Sequence, residues 1–476
     1  MRTFRTLYEL NSALLTLRLS RFRRFLKYSK RLFRLCVTAL TFPAIAFLGC
    51  VTACSAQDPT PRMEQIIQDY VHEKQFMGSI LVAQGGKVLF EKGYGYANLE
   101  WDIPNSPTTK FPIASITKQF TAACILLLEE RGKLNVNDPV KNYMPDAPLA
   151  WDKVTIYNLL THTSGIPNSF QGLGFREPKT PEQLIGYFRD TPLQFQPGEA
   201  ARYSNAGYFL LGYLIEKVSG QSYQDFVQEN IFRPLSMSDS GYNSNSAILP
   251  RRASGYLLTP SGLVNAFYLD MSLPYSAGGL YSTTEDLLRW EQALFGGKLL
   301  SAASLKKMIT PFMYDYYACG LVVSKIDGRA VIEHSGDGIP GFTSDMVFYP
   351  DDKLTIIVLN NFGGETASIV SKLAASVHGE KVILPSERKE ITVSPATLAK
   401  YAGTYSDVFP GYSLIITVEV DHLMAQLSTG QRAPKVPSSR SQTECSFRET
   451  RKVSSGLSGT IRERSNLFYI LRAATR

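Results

Sequence analysis

The sequence predicts an α/β fold of the α+β kind: an antiparallel sheet built from both ends of one domain, flanked by helices, with an all-α lobe inserted between them. Three observations lead there. Two β-rich runs, 78–84 and 87–94, flank Gly85-Gly86, which is a hairpin signal. Runs at 319–324, 329–334, 343–349 and 354–360 return to a strand pattern, and Leu354 to Leu359 is nearly all apolar, as in a strand buried on both faces. The intervening residues 134–310 read mainly as helices, joined by long loops rich in Pro, Gly and Asn.

The individual elements follow from spacing. Arg62 to His72 places Ile66, Ile67, Tyr70 and Val71 on one side of a helix. Gln119 to Leu128 is mostly apolar all round, which predicts a buried helix. Gly207 to Val218 and Tyr223 to Ile231 are helical by the spacing of their apolar residues, and Thr366 to Val377 closes the domain as a helix. A site is expected where sheet and lobe meet, since clefts between lobes are common ligand sites.

Composition narrows the function. With 476 residues, 44% hydrophobic and 11% aromatic, the chain can bury a sizeable core. Its net charge of +8 is unevenly spread: residues 1–56 carry +9, residues 57–430 carry −8 and residues 431–476 carry +7. The globular body is mildly acidic, so no nucleic-acid partner is expected. Arg21 to Arg34 is basic, Leu35 to Ala53 apolar, and Ser55-Ala56 small, which is the pattern of an export signal. Cleavage after Ala56 would release a soluble periplasmic or secreted protein. Val51-Thr52-Ala53-Cys54 instead resembles a bacterial lipobox, which would anchor the chain to a membrane through lipidated Cys54. Beyond Cys36, Cys50 and Cys54 only Cys124, Cys319 and Cys445 remain, too few and too widely spaced for a disulfide framework. The five histidines show no H-E-x-x-H spacing, and neither a metal nor a cofactor is expected. No G-x-S-x-G elbow is present, which argues against an α/β-hydrolase.

Chemistry concentrates at Ser115-Ile116-Thr117-Lys118. A serine and a lysine three apart on a helix share one face. A serine hydroxyl is a weak nucleophile until a neighbour takes its proton, and a lysine in poorly solvated surroundings can do so. A second S-x-x-K, Ser304 to Lys307, reads as the exposed part of a surface helix. Only Ser115 is followed in order by a Y-x-N, Tyr203-Ser204-Asn205, and an H-x-G, His334-Ser335-Gly336.

In these motifs the chain resembles the penicillin-recognising serine hydrolases, nearest to the class C β-lactamase type with its esterase and D-aminopeptidase relatives. The resemblance covers about residues 62–380 and extends to Phe111-Pro112-Ile113-Ala114, Leu159 to Pro167, Pro197-Gly198, Ala277 to Leu280, and Pro340-Gly341-Phe342. It implies a β-lactamase/transpeptidase-like fold, with Ser115 as nucleophile, Lys118 taking or relaying its proton, and Tyr203 as a second acid/base whose phenolate is favoured by nearby Lys118. It also implies that Asn205 donates to a substrate carbonyl, that His334 and Gly336 line the other wall, and that the Asp337 N–H pairs with that of Ser115 as an oxyanion hole. Gly336 is expected to let the substrate backbone approach. Penicillin-targeted members commonly have lysine where His334 stands, and histidine near neutral pH is largely uncharged. His162 reads as structural, while Tyr275, Tyr281 and Phe342 read equally as pocket or core.

The resulting plan is an N-terminal extension and export signal (1–56), a serine hydrolase domain (57–384), a linker (385–397), and a small C-terminal β domain (398–476). That last part resembles the start of a β-barrel-like domain appended to some relatives. The likeness fades after about Gly430, and residues from about 431 are expected to be poorly ordered, as a divergent domain or a frameshift product. The expected function is an exported serine hydrolase cleaving an ester, amide or lactam carbonyl of a small-molecule or short-peptide substrate. Its rivals are a true β-lactamase and a non-catalytic or slowly deacylating penicillin-binding receptor.

Overall fold

The computed structural model describes residues 58–259, 261–313, 317–387, 394–409, 412–419 and 422–429. The expected export segment, Cys54 and the tail from 431 lie outside them. The first helix, α1 (Thr60–His72), buries Ile66, Ile67 and Tyr70 of the expected stripe together with Met63, while Val71 is only partly buried. The hairpin β1 (Gly78–Gln84) and β2 (Lys87–Tyr94) turns at Gly85 and Gly86, whose φ values of +58° and +82° favour glycine.

Next comes α2 (Thr117–Glu130), buried from Thr117 to Leu128. It packs against the lobe helix α3 (Asn205–Ser219) and shares a core with α4 (Thr284–Phe295). Four strands then complete the sheet: β3 (Val322–Ile326), β4 (Arg329–Ile339), β5 (Phe342–Tyr349) and β6 (Leu354–Asn360). The order is β3-β4-β5-β6-β1-β2, and every pairing is antiparallel. Both ends of the domain therefore meet at the β6–β1 seam. The helix α5 (Thr366–Val377) closes the domain.

Strand periodicity divides the core in two. Along β6, Ile356 and Val358 face a cluster with α1 and α5, while Ile357 and Leu359 join the larger cluster that contains α2. Each such aliphatic side chain contributes about 1.5–3 kcal/mol when fully buried.

Three details differ from the expected elements. Helix 223–231 is α-helical only over Tyr223–Val227, then widens into a π turn at Gln228–Phe232. The strand expected at 319–324 begins at Val322, because Gly320 (φ +72°) turns the chain against α2; a Cβ there would lie 2.5 Å from the Lys118 carbonyl oxygen. The lobe also contains a small sheet of Phe111–Pro112, Leu280–Ser282 and Gly241–Tyr242, too short to show alternation in sequence. Beyond Ser394, three antiparallel strands run over Gly403–Phe409, Tyr412–Glu419 and His422–Thr429.

Candidate active site

Ser115 lies in a single 3₁₀ turn, Ala114–Ile116, that leads directly into α2. The residue before it, Ala114, has φ +44°, a left-handed conformation that is costly for a residue with a Cβ. Strands β4 and β5 hold this turn from below. Ser344 Oγ donates to the Ile113 carbonyl at 2.9 Å. A Cβ on Gly336 would fall 2.3 Å from both that carbonyl oxygen and Ser344 Oγ. Its missing side chain therefore admits the nucleophile turn, a demand in addition to the substrate approach expected of it. The β4–β5 ladder pairs Gly336 with Ser344 and then Ile339 with Phe342, so Asp337 and Gly338 sit in an irregularity outside the register. Asp337 is exposed, and its Oδ1 accepts the Gly338 N–H at 2.6 Å.

The helical spacing brings Lys118 Nζ to 3.0 Å from Ser115 Oγ. Nζ also donates to the Ala277 carbonyl at 2.8 Å. Lys118 is fully buried, and no carboxylate pairs with it among the described residues. An isolated ammonium in such a place is strongly disfavoured. Burial accordingly drives the lysine well below its ordinary value, toward the neutral amine.

Tyr203 closes the other side. It precedes α3, whose N-cap Ser204 accepts the Gly207 N–H at 3.1 Å. The Tyr203 hydroxyl donates to Ser115 Oγ at 2.8 Å, and Lys118 Nζ lies 4.8 Å from its ring centroid. Burial pushes the phenol above its ordinary value, and the Ser115 hydrogen bond offsets this only in part. The residue remains 40% exposed. The phenolate expectation is therefore corrected. Burial disfavours charge on both groups, the ammonium at Lys118 and the phenolate at Tyr203.

His334 lies on β4 as expected, yet it is buried and turned to internal partners. Nδ1 lies 2.6 Å from the Ser335 carbonyl oxygen and Nε2 lies 2.8 Å from the Tyr317 hydroxyl. A carbonyl only accepts, so Nδ1 carries a proton; in the neutral ring Nε2 then accepts from Tyr317. The expected substrate-lining role of the His334 ring is corrected on this ground. Asn205 is half-buried at the first position of α3. Tyr275 is core: it is buried, and its hydroxyl donates to Glu216 at 2.8 Å. Tyr281 and Phe342 are buried as well.

Two contributors escaped the sequence reading. Tyr317 stands 6.1 Å from the Tyr203 ring and carries no motif. Asn168 donates to the Tyr203 carbonyl at 3.1 Å and accepts the Ala206 N–H at 3.2 Å, tying the chain just after Pro167 to the Tyr203 segment. A polar residue just beyond the Leu159–Pro167 motif was the available signal. No group of three metal-ligating side chains occurs among the described residues.

The antiparallel sheet, the buried Ser-Lys helix and the opposed tyrosine define a serine hydrolase of the acyl-transfer type. A family model described as Beta-lactamase matches residues 63–378, and the chain belongs to that family. It is 30% identical over 418 residues to penicillin-binding protein 4* of Bacillus subtilis (strain 168), spanning 81% of this chain and 91% of that protein. The crystal structure of a penicillin binding protein from Bacillus halodurans is 32% identical with a TM-score of 0.61, covering 66% of this chain and 98% of that one. A D-stereospecific amidohydrolase from a Streptomyces species is 25% identical with a TM-score of 0.56, covering 67% of this chain and 98% of that one.

Proposed function

We propose that this protein is an exported serine hydrolase that cleaves short-chain esters or D-amino-acid amides and peptides through an acyl-enzyme on Ser115, with β-lactams as poor substrates. The observation that carries this reading is the convergence of Lys118 Nζ (3.0 Å) and the Tyr203 hydroxyl (2.8 Å) on Ser115 Oγ. With Lys118 neutral, the 3.0 Å bond can run the other way, its lone pair accepting the serine proton as Oγ attacks the carbonyl. Tyr203, a neutral phenol, passes a proton to the leaving group. In deacylation the same groups take a proton from water and return it to Ser115. The N–H groups of Ser115 and Asp337 stabilise the oxyanion, each worth about 2.7–4 kcal/mol by analogy with known sites. Asn205 holds the substrate amide.

The substrate preference is supported at His334. Both ring nitrogens have protein partners, so the ring offers a substrate carboxylate no free N–H where penicillin-targeted relatives commonly offer a lysine ammonium. The likeness to a D-stereospecific amidohydrolase supports the amide class. Export is supported by the basic and apolar segments before Ser55. The mass of the processed N-terminus, compared between the native chain and Cys54→Ser, separates a soluble product from a lipidated one.

The test is a parallel assay of the mature protein with a p-nitrophenyl ester, a D-phenylalanine p-nitroanilide and a chromogenic cephalosporin. The expected result is turnover of the first or second, lost in Ser115→Ala, with slow or no cephalosporin cleavage. Efficient cephalosporin turnover at pH 7.5 would make the protein a β-lactamase instead. A lasting acyl-enzyme with no turnover of any of the three would make it a receptor.

A further inference from the structure

His162 takes no part in the proton transfers above, yet it is built into the site. It is only 3% exposed and adopts φ +58°, a conformation rare for a residue with a Cβ. Its carbonyl oxygen accepts the Arg202 N–H at 2.8 Å, and its Nδ1 accepts the Ser204 N–H at 3.1 Å. Those two N–H groups flank Tyr203. The imidazole also lies against the phenol, with ring centroids 4.5 Å apart.

We propose that His162 is a positioning residue for Tyr203: it grips the main chain on both sides of the tyrosine and thereby sets where the phenol oxygen meets Ser115 Oγ. The grip requires a lone pair on Nδ1, so the neutral ring carries its proton on Nε2. A doubly protonated ring would present a proton to the Ser204 N–H and lose that contact. Burial, the largest cause, holds the imidazole well below its ordinary value, which favours the neutral ring.

The fold tolerates two costs at this residue. Nε2 is buried with no hydrogen-bond partner among the described residues, and the backbone is strained. A side chain kept only to fill space would be better apolar, because an apolar ring leaves no polar atom unpaired. The acceptor at Nδ1 is what an apolar residue cannot supply.

This inference rests on the role proposed for Tyr203, and a mutant cycle separates the two. Asparagine tolerates a positive φ and places Oδ1 close to the position of Nδ1; glycine tolerates the φ but has no acceptor. On the full chain with a p-nitrophenyl ester, His162→Gly should lower kcat on the order of 10²-fold with KM little changed. His162→Asn should recover most of that loss. In a Tyr203→Phe background, His162→Gly should cost little more, since the group it positions is already gone. His162→Leu fills the space without an acceptor and replaces His162→Gly if that variant does not fold. A full additional loss in the Tyr203→Phe background would overturn the inference, as would His162→Asn performing no better than His162→Gly at matched Tm. Wild-type activity in Tyr203→Phe alone would overturn the role of Tyr203 itself, and this inference with it.

Discussion

Ser115 and Ser304 each begin a Ser-x-x-Lys at the head of a helix, and they make different chemistry from the same spacing. At Ser115 the lysine points back to the serine, is fully buried, and meets no carboxylate among the described residues. At Ser304 the helix Ala302–Ile309 is capped by Ser301, whose Oγ accepts the Ser304 N–H at 3.2 Å. Its Lys307 donates instead to Glu129 at the end of α2, at 2.6 Å. The sequence suggested that this second motif is exposed, yet Ser304 is only 6% exposed, because the helix lies against α2. Burial of the serine therefore does not single out the nucleophile: Ser304 is buried, whereas Ser115 is only part-buried. What separates them is the lysine: one is stripped of water with no counter-charge, the other keeps a carboxylate beside it.

The contrast can be broken first at the serines. Ser115→Ala should lower turnover by at least on the order of 10⁴-fold, whereas Ser304→Ala should leave it unchanged. Comparable losses in both would erase the distinction. Next, Tyr203→Phe keeps the ring and removes only the hydroxyl that reaches Ser115. Its kcat should fall on the order of 10²–10⁴-fold while substrate binding holds. A near-normal kcat would mean that Lys118 or water carries both protons.

The lysines themselves give a subtler test, through stability. Lys118 has a depressed value in the folded state, against 10.5 ordinarily, so over that window the unfolded chain binds a proton that the folded chain lacks. Wild-type stability relative to Lys118→Met should therefore rise with pH, by up to about 1.4 kcal/mol per unit, from the depressed folded value up to about 10.5. Urea melts of both proteins at pH 7 and pH 9 measure the slope. A flat difference would show that the folded protein keeps Lys118 charged. The smallest effect belongs to Lys307→Met, which breaks a partly exposed ion pair and should cost about 0–1 kcal/mol, less at high salt. A loss of several kcal/mol there would contradict its reading as an ordinary surface pair.

What could be read from sequence follows the same divide. Ser115, Lys118 and Tyr203 were legible because helical spacing and motif order carry them, and the apolar run after Gln119 correctly announced a buried helix. The protonation of the site was not legible. Counting Lys118 as a cation led to a phenolate at Tyr203, and the burial of both the lysine and the phenol reverses the argument. Tyr317 was invisible because it reaches His334 through the chain reversal at Gly320, a tertiary event with no local pattern. The packing demand on Gly336 was not legible, since its crowding partner is the Ile113 carbonyl more than 200 residues away. The left-handed backbone at His162 likewise leaves no mark on residue type.

The central claim is that environment, and not spacing, selects Ser115. Intact-mass and peptide mapping after treatment of the full chain with a fluorophosphonate tests it most directly. A single adduct on Ser115, absent in Ser115→Ala and retained in Ser304→Ala, is the predicted result. An adduct on Ser304, or labelling that survives Ser115→Ala, would contradict it.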